Sequence, residues 1–261
     1  MNETEFVRVE RQDHIAWLNL NRPESLNAIS GALARELTAR CGEVAGDEDV
    51  WVVVLRAEGE KAFCVGADLK ERASFTTDDY FANRKQMRSM FDAVRTLPQP
   101  AIASVFGFAL GGGFELALSC DLIVAAEGTQ LGLPEMRVGL LPAGGGTQLL
   151  PRRVGVATAK ELIYTARRFT AEEGKDYGIV SRVVSRTDLD EVTRRLAVDI
   201  CKASPIAARS AKRALDAAIG APIDQGIEFE NEMWKQVIVS ADRAEGIAAF
   251  NDKREPKWSN R

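Results

Sequence analysis

Two glutamates stand in surroundings where glutamate is rarely found. Glu115 lies in FALGGGFELALSC (residues 108–120), directly behind Gly111, Gly112 and Gly113 in an otherwise apolar run, and Glu135 follows Pro134 in LGLPEMRVG (residues 131–139). Burial disfavours the charged carboxylate, so such a group exchanges protons closer to neutral pH than an exposed one. Two of them side by side can hold a water, take a proton from it and return a proton to a neighbouring carbon. The glycines point to a further component. Glycine lets a ligand approach the backbone closely, and the first amides of a helix carry unpaired N–H groups at the positive end of the dipole, so a carbonyl oxygen gaining negative charge is stabilised there. The plainer alternatives are a packing run of glycines and a buried glutamate tied to arginine or backbone amides. A phosphate loop is excluded by spacing, because neither G-x-G-x-x-G nor G-x-x-x-x-G-K-[ST] fits residues 111–113, and AGGGTQLL (residues 143–150) lacks the lysine.

The remaining composition narrows the chemistry. His14 is the only histidine and leads into an early strand pattern, so a histidine-rich metal site is impossible and Ser-His-Asp or Cys-His catalysis would depend on that one residue. Cys41, Cys64, Cys120 and Cys201 form no C-x-x-C pair and are expected to be reduced core thiols. A formal charge of −4 provides no excess of positive potential, and nucleic acid is not the expected partner. The most apolar stretch, residues 101–126, is interrupted by Glu115 and Asp121 and punctuated by glycines, as a buried core is and a membrane span is not. The polar start MNETEFVRVERQ has neither a basic n-region nor an apolar h-region, and a cytoplasmic location is expected.

An alternating scaffold must hold these groups. FVRVE and HIAWLNLN alternate as half-buried strands, Leu33, Leu37, Cys41 and Val44 recur at helical period behind a possible Ser30 cap, and VWVVVLRA (residues 50–57) returns as a buried strand. A helix is predicted from about Thr77 to Leu97 with Met87, Met90, Phe91 and Val94 on one face, followed by the strand AIASVFG, a short apolar helix opened by the glycine triplet, and the strand CDLIVAA. No strand pattern follows GIVSRVV. The fold class is α/β, with a body over residues 1–195 and a helical C-terminal region over 196–261 packed on the body or on a neighbouring subunit.

With these residues in view, KAFCVGADLKE (61–71), GFALGGGFELALSCDLIVAA (107–126), LGLPEMRVGLLPAGGGTQLLPRRVG (131–155) and RAEGIAAFNDKREPKW (243–258) resemble, in order and spacing, the crotonase (enoyl-CoA hydratase/isomerase) superfamily. The resemblance covers essentially the whole chain. It implies a crotonase-type spiral of ββα units, C-terminal helices that build a homotrimer or a hexamer made of two trimers, and an acyl-CoA thioester substrate whose coenzyme A needs no further cofactor or metal. Carried over by position, the oxyanion-hole amides fall on Ala67 and Gly112, and the two hydratase glutamates on Glu115 and Glu135. The implied reaction is syn addition of water to a 2-trans-enoyl-CoA, giving a 3-hydroxyacyl-CoA. Phe250 and Lys253 match residues of the last helix that approach coenzyme A, often from a neighbouring subunit. Glu24 stands where many relatives carry a basic residue, which leaves that part of the coenzyme A contact open. Asp68 is read as a turn cap and His14 as a surface or strand-edge residue.

FCVGADLKERA and AKELIYTAR also resemble the branch containing methylglutaconyl-CoA hydratase, an enzyme of leucine breakdown whose animal member binds AU-rich RNA. Its substrate carries an extra carboxylate beyond the thioester, for which Arg72, Arg84, Lys85 or Arg88 would be the available cations. That hydratase is the first alternative. RNA binding and a catalytically silent scaffold are alternatives of a different class.

Overall fold

The computed structural model describes residues 5–261; residues 1–4, the first part of the polar N-terminal stretch, lie outside them. Nine strands are described: β1 (Val7–Gln12), β2 (Ile15–Leu20), β3 (Val52–Ala57), β4 (Ala101–Val105), β5 (Phe108–Leu110), β6 (Leu122–Ala126), β7 (Gln130–Gly132), β8 (Phe169–Thr170) and β9 (Arg182–Val184). The helices of the body are α1 (Gly31–Ala45), α2 (Leu69–Arg72), α3 (Thr77–Arg95), α4 (Gly112–Ser119), α5 (Gly146–Val154), α6 (Val156–Thr165), α7 (Ala171–Asp176) and α8 (Leu189–Cys201). Three more follow, α9 (Pro205–Ala218), α10 (Ile223–Ile238) and α11 (Ala241–Asp252).

Six strands form one sheet in the order β1-β2-β3-β4-β6-β9, and only the β1–β2 hairpin within it is antiparallel. The two-residue period of each strand assigns its side chains to two opposite faces. Ala16, Leu18 and Leu20 of β2 join Val53 and Leu55 of β3 and Ala103 of β4 in one core, while Ile15, Trp17, Val52, Val54 and Ile102 join the other. The first face is covered by α1, α3 and α4, and the second by α8. This two-sided burial explains why β2 is buried along its whole length, as central strands of α/β sheets are.

Each turn of the chain also places a short segment in a second layer. β5 pairs with β7 and β7 with β8, and the isolated bridges Ile29–Ala67 and Cys64–Ala109 attach two earlier turns to the same layer. The chain thus alternates between a strand of the large sheet and a segment of the small layer, the course of a spiral. Ala67 and Gly112 emerge from successive turns of it. Strands as short as β5, β7 and β8 present too few residues for a periodicity signal.

The expected boundary at residue 195 falls inside α8. Leu189 and Ala197 of this helix are buried against the large sheet, so α8 belongs to the body and the departing helices begin with α9 at Pro205. Lys212 anchors α9 to the body: its buried Nζ donates to Gln99 O at 3.0 Å and pairs with Asp121 at 2.9 Å. Beyond that anchor, Leu215, Ile219, Ile223, Ile227, Trp234 and Ile247 are exposed on α9 to α11 or between them. No helix of the described residues is long and apolar enough to cross a membrane.

Candidate active site

Glu115 occupies the first turn of α4, and the packing of α4 leaves its carboxylate little freedom. Phe114, Leu116, Ala117 and Leu118 are all buried in the main core. At the other end of the helix, Arg153 donates to Leu118 O (3.2 Å) and Cys120 O (2.6 Å), placing a cation at the negative end of the helix dipole. Glu115 itself is 3 % exposed. Its Oε1 accepts two hydrogen bonds, from the Gly144 and Gly146 N–H groups, each at 2.7 Å. Burial raises its pKa, while those two amides and the charge of Arg84 oppose the rise.

Glu135 reaches the same cleft from another turn of the spiral. It follows Pro134 in the 3-10 helix Pro134–Val138, which continues from β7 and is closed by Gly139 in the left-handed conformation. Its Oε2 is buried and has no hydrogen-bond partner among the described residues. Burial and the facing Glu115 carboxylate push its pKa up to about 7. The two glutamates are therefore differentiated. Glu115 is fixed by two donors suited to its ionised form, and Glu135 is a carboxyl that holds a proton near neutrality, with one oxygen free.

The backbone donors lie beside them. Ala67 is locked on both sides, since Ile29 N–H donates to Gly66 O (2.8 Å) and Asp68 N–H to Ile29 O (3.0 Å). Asp68 caps α2 by accepting from Lys70 and Glu71 N–H and pairs with Arg22 at 3.0 Å, as expected of a structural cap. In the glycine triplet, Gly111 N–H donates to Gly132 O (2.9 Å), which leaves Gly112 as the first residue of α4. Among the described residues, neither Ala67 N–H nor Gly112 N–H donates to a protein acceptor. Close approach explains the glycines around them: Gly66 has φ +92°, and a Cβ there would lie 2.9 Å from Leu110 O and 3.1 Å from the Gly112 nitrogen.

All four groups line one cleft of about 310 Å³, at the lower end of the range for small-molecule sites. Its walls are mainly apolar, with Ile29, Met87 and Phe91 buried and Leu69, Val138, Leu140 and Leu141 at exposed positions. Of the basic residues in residues 70–95, Arg72 and Arg84 line the cleft; Lys85 does not, and Arg88 pairs with Asp92 at 3.5 Å. Arg137 also borders it. Phe250 and Lys253 are not brought to this cleft within one chain: they lie at the end of α11, where Phe250 is 84 % exposed. Glu24 lines a separate cavity, away from this cleft. His14 is exposed in the β1–β2 turn and stacks on Trp51. Cys41, Cys64 and Cys120 are buried with pKa values pushed up to about 12 by desolvation, and Cys201 is half-buried with its value raised to about 11 by the same cause; all four cysteines are free. Sequence reasoning missed the residue pair Gly144 and Gly146, whose amides hold Glu115; the cluster was visible as a glycine run, but its partner lies 29 and 31 positions away. No group of three or more metal-ligating side chains is found among the described residues.

The cleft thus brings together two backbone amides without a protein acceptor and two buried carboxyls from different turns of the chain. Residues 10–261 match the family model described as enoyl-CoA hydratase/isomerase. The chain is similar to the mouse mitochondrial methylglutaconyl-CoA hydratase, at 37% identity over 95% of this chain and 81% of that protein. It is 40% identical to human mitochondrial enoyl-CoA hydratase domain-containing protein 2, over 94% of this chain and 85% of that one. Among solved structures, the crystal structure of enoyl-CoA hydratase from Bacillus anthracis superposes with a TM-score of 0.96 at 41% identity, covering 98% of this chain and 100% of that chain. The chain belongs to the enoyl-CoA hydratase/isomerase family and has the crotonase fold.

Proposed function

We propose that this protein hydrates 2-trans-enoyl-CoA thioesters to 3-hydroxyacyl-CoA. The observation that carries the reading is the pairing of two unlike glutamates with two unoccupied backbone donors in one cleft. The thioester oxygen would accept hydrogen bonds from Ala67 and Gly112 N–H, so that charge developing on it during attack is met by donors already in place. A water held between the carboxylates gives its proton to Glu115 as its oxygen bonds to the β-carbon, and the electron pair of the double bond moves toward the α-carbon and the thioester oxygen. Glu135 then delivers its proton to the α-carbon. The elements of water enter and no other reactant is needed. Coenzyme A arrives as part of the substrate.

The test is product identity. Purified protein with crotonyl-CoA should yield 3-hydroxybutyryl-CoA, read by mass spectrometry as a gain of one water; a product of unchanged mass with a shifted double bond would make it an isomerase and overturn the reading.

The exposed apolar surface of α9 to α11 supports a homotrimer or a trimer pair, in which Phe250 and Lys253 reach the coenzyme A of a neighbouring copy. Light scattering should give three or six times the 28.5 kDa of one chain. A monomer would rule this assembly out.

A further inference from the structure

The turn before α1 has a backbone conformation that its residue types resist. Leu26 and Asn27 are consecutive and both left-handed, at φ +53° and +54°. Asparagine enters that region more readily than most residues, but a bulky leucine does so only where its surroundings impose it. Here the Asn27 side chain supplies the constraint. Asn27 is fully buried, its Oδ1 accepts from Arg22 N–H (2.8 Å), and its Nδ2 donates to Glu58 O and Ala62 O (3.0 Å each). Every polar atom of this interior amide is thus spent on the backbone of two separate segments, which fixes one against the other. Asn27 lines no part of the cleft.

The far side of the turn shows what is being held. Two residues on, Ile29 brackets Ala67 with its backbone, donating to Gly66 O (2.8 Å) and accepting from Asp68 N–H (3.0 Å), while Leu26 O accepts from Val65 N–H (3.3 Å). Arg22 adds an outer tie, its Nη1 donating to Ala28 O (2.8 Å) and to Asp68 Oδ2 (3.0 Å). The Ile29 side chain reaches the second donor, because its Cδ1 would lie 3.1 Å from a Cβ on Gly112. One short segment therefore meets both unpaired amides, Ala67 through its backbone and Gly112 through its side chain. Residues 58–62, which Asn27 grips, run directly into the stretch that carries Ala67. Within that stretch Cys64 N–H donates to Phe108 O (3.1 Å) and Cys64 O accepts from Leu110 N–H (3.0 Å), a tie to β5, the strand that leads to Gly112.

We propose that Asn27 is a positioning residue for the two backbone donors: by clamping the turn 22–29 onto residues 58–62, it sets where the Ala67 N–H stands relative to the Gly112 N–H. Preorganised donors stabilise developing charge only if they already stand at hydrogen-bond distance from it, so a small displacement of one of them is felt in the rate. The kinetic consequence rests on the hydratase reading. Polarisation of a bound thioester carbonyl needs only that the two amides receive its oxygen.

Asn27→Gly is the informative variant, because glycine adopts the left-handed turn freely and only the side-chain hydrogen bonds are lost. Butyryl-CoA, isotopically labelled at the thioester carbonyl, is saturated and cannot be hydrated, so isotope-edited infrared spectroscopy of its complex reads the donors without turnover. The parent should move the carbonyl stretch to lower frequency than in free butyryl-CoA, and Asn27→Gly should lose most of that displacement. With crotonyl-CoA, kcat should fall roughly 10- to 100-fold while KM changes by less than about 3-fold, as when a contact made mainly in the transition state is loosened. Arg22→Gln removes the outer tie and should show the same pattern at smaller amplitude, which keeps the test available if Asn27→Gly does not fold. Lost stability alone would lower the denaturation midpoint and leave the carbonyl stretch of the bound ligand unchanged. A parental stretch in the variants, with or without a fall in kcat, would overturn the assignment, as would a parent that does not displace the carbonyl. Displacement in the parent that Asn27→Gly loses, without hydration of crotonyl-CoA, would keep the positioning role and refute the hydratase reading.

Discussion

The molecule carries two glycine loops that look alike in sequence and act in opposite senses. Residues 111–113 lead into α4 and leave the Gly112 N–H without a protein acceptor, whereas residues 144–146 lead into α5 and direct the Gly144 and Gly146 N–H groups onto Glu115 Oε1. One loop leaves a donor at the cleft without a protein acceptor, and the other holds the carboxylate beside it. The difference shows that glycine at a helix N-terminus specifies access to backbone amides without specifying their partner. Only the packing of α4 against the two loops decides that.

Substitutions can break this comparison selectively. A Cβ at Gly146 would lie 2.9 Å from Glu115 Oε1 and 2.9 Å from Leu133 Cδ1, and one at Gly144 would collide with the Phe91 ring and also lie 2.7 Å from Glu115 Oε2. Gly144→Ala and Gly146→Ala should therefore displace Glu115 and lower kcat by roughly 100-fold, the scale of losing one preorganised catalytic contact. At Gly112 the nearest atoms are the side-chain ends Ile29 Cδ1 (3.1 Å) and Phe91 Cζ (3.5 Å), which can give way. Gly112→Ala should cost roughly 10-fold or less. Steady-state kinetics on crotonyl-CoA with folding checked by circular dichroism would read both, and the reverse ranking would refute the division of roles.

The pH dependence sharpens the same contrast with a smaller effect. Glu135 is pushed up to about 7 from the ordinary glutamate value of 4.5, and in the proposed reaction it is the group that must keep its proton to act as the acid. The rate in kcat/KM should fall as pH rises above about 7, with the apparent value belonging to the Glu115–Glu135 pair. Stability follows the same sign. Between the two values the folded protein binds a proton that the unfolded chain has released, so the unfolding free energy declines as pH rises from 4.5 to about 7. Glu135→Gln should flatten that decline in denaturant titrations; an unchanged slope would place the titration elsewhere.

Much of the scaffold is written locally. Ser30 caps α1 through Leu33 N–H, and Met87, Met90, Phe91 and Val94 form the buried face of α3, as spacing alone indicates. The carboxyls and the triplet were legible because an acid in an apolar run is rare. Other features depend on distant partners. The roles of Gly144 and Gly146 require α4 beside them, and which of Arg72, Arg84, Lys85 and Arg88 faces the cleft depends on the rotation of α2 and α3 against the body. The expected end of the body at residue 195 falls within α8 because α8 is about as amphipathic as α9 and α10, and composition does not say that its apolar face meets the sheet. Phe250 and Lys253 lie away from the cleft of their own chain.

The central claim is that Glu115 and Glu135 act together on one water. It is tested most directly by following the loss of the conjugated thioester absorbance of crotonyl-CoA with the parent, Glu115→Gln, Glu135→Gln and the double variant. Each single substitution should lower kcat by roughly 1,000-fold or more, and the double should lose little beyond the worse single, as groups acting as a unit do. Hydration that survives either substitution at near-parental rate would contradict the account.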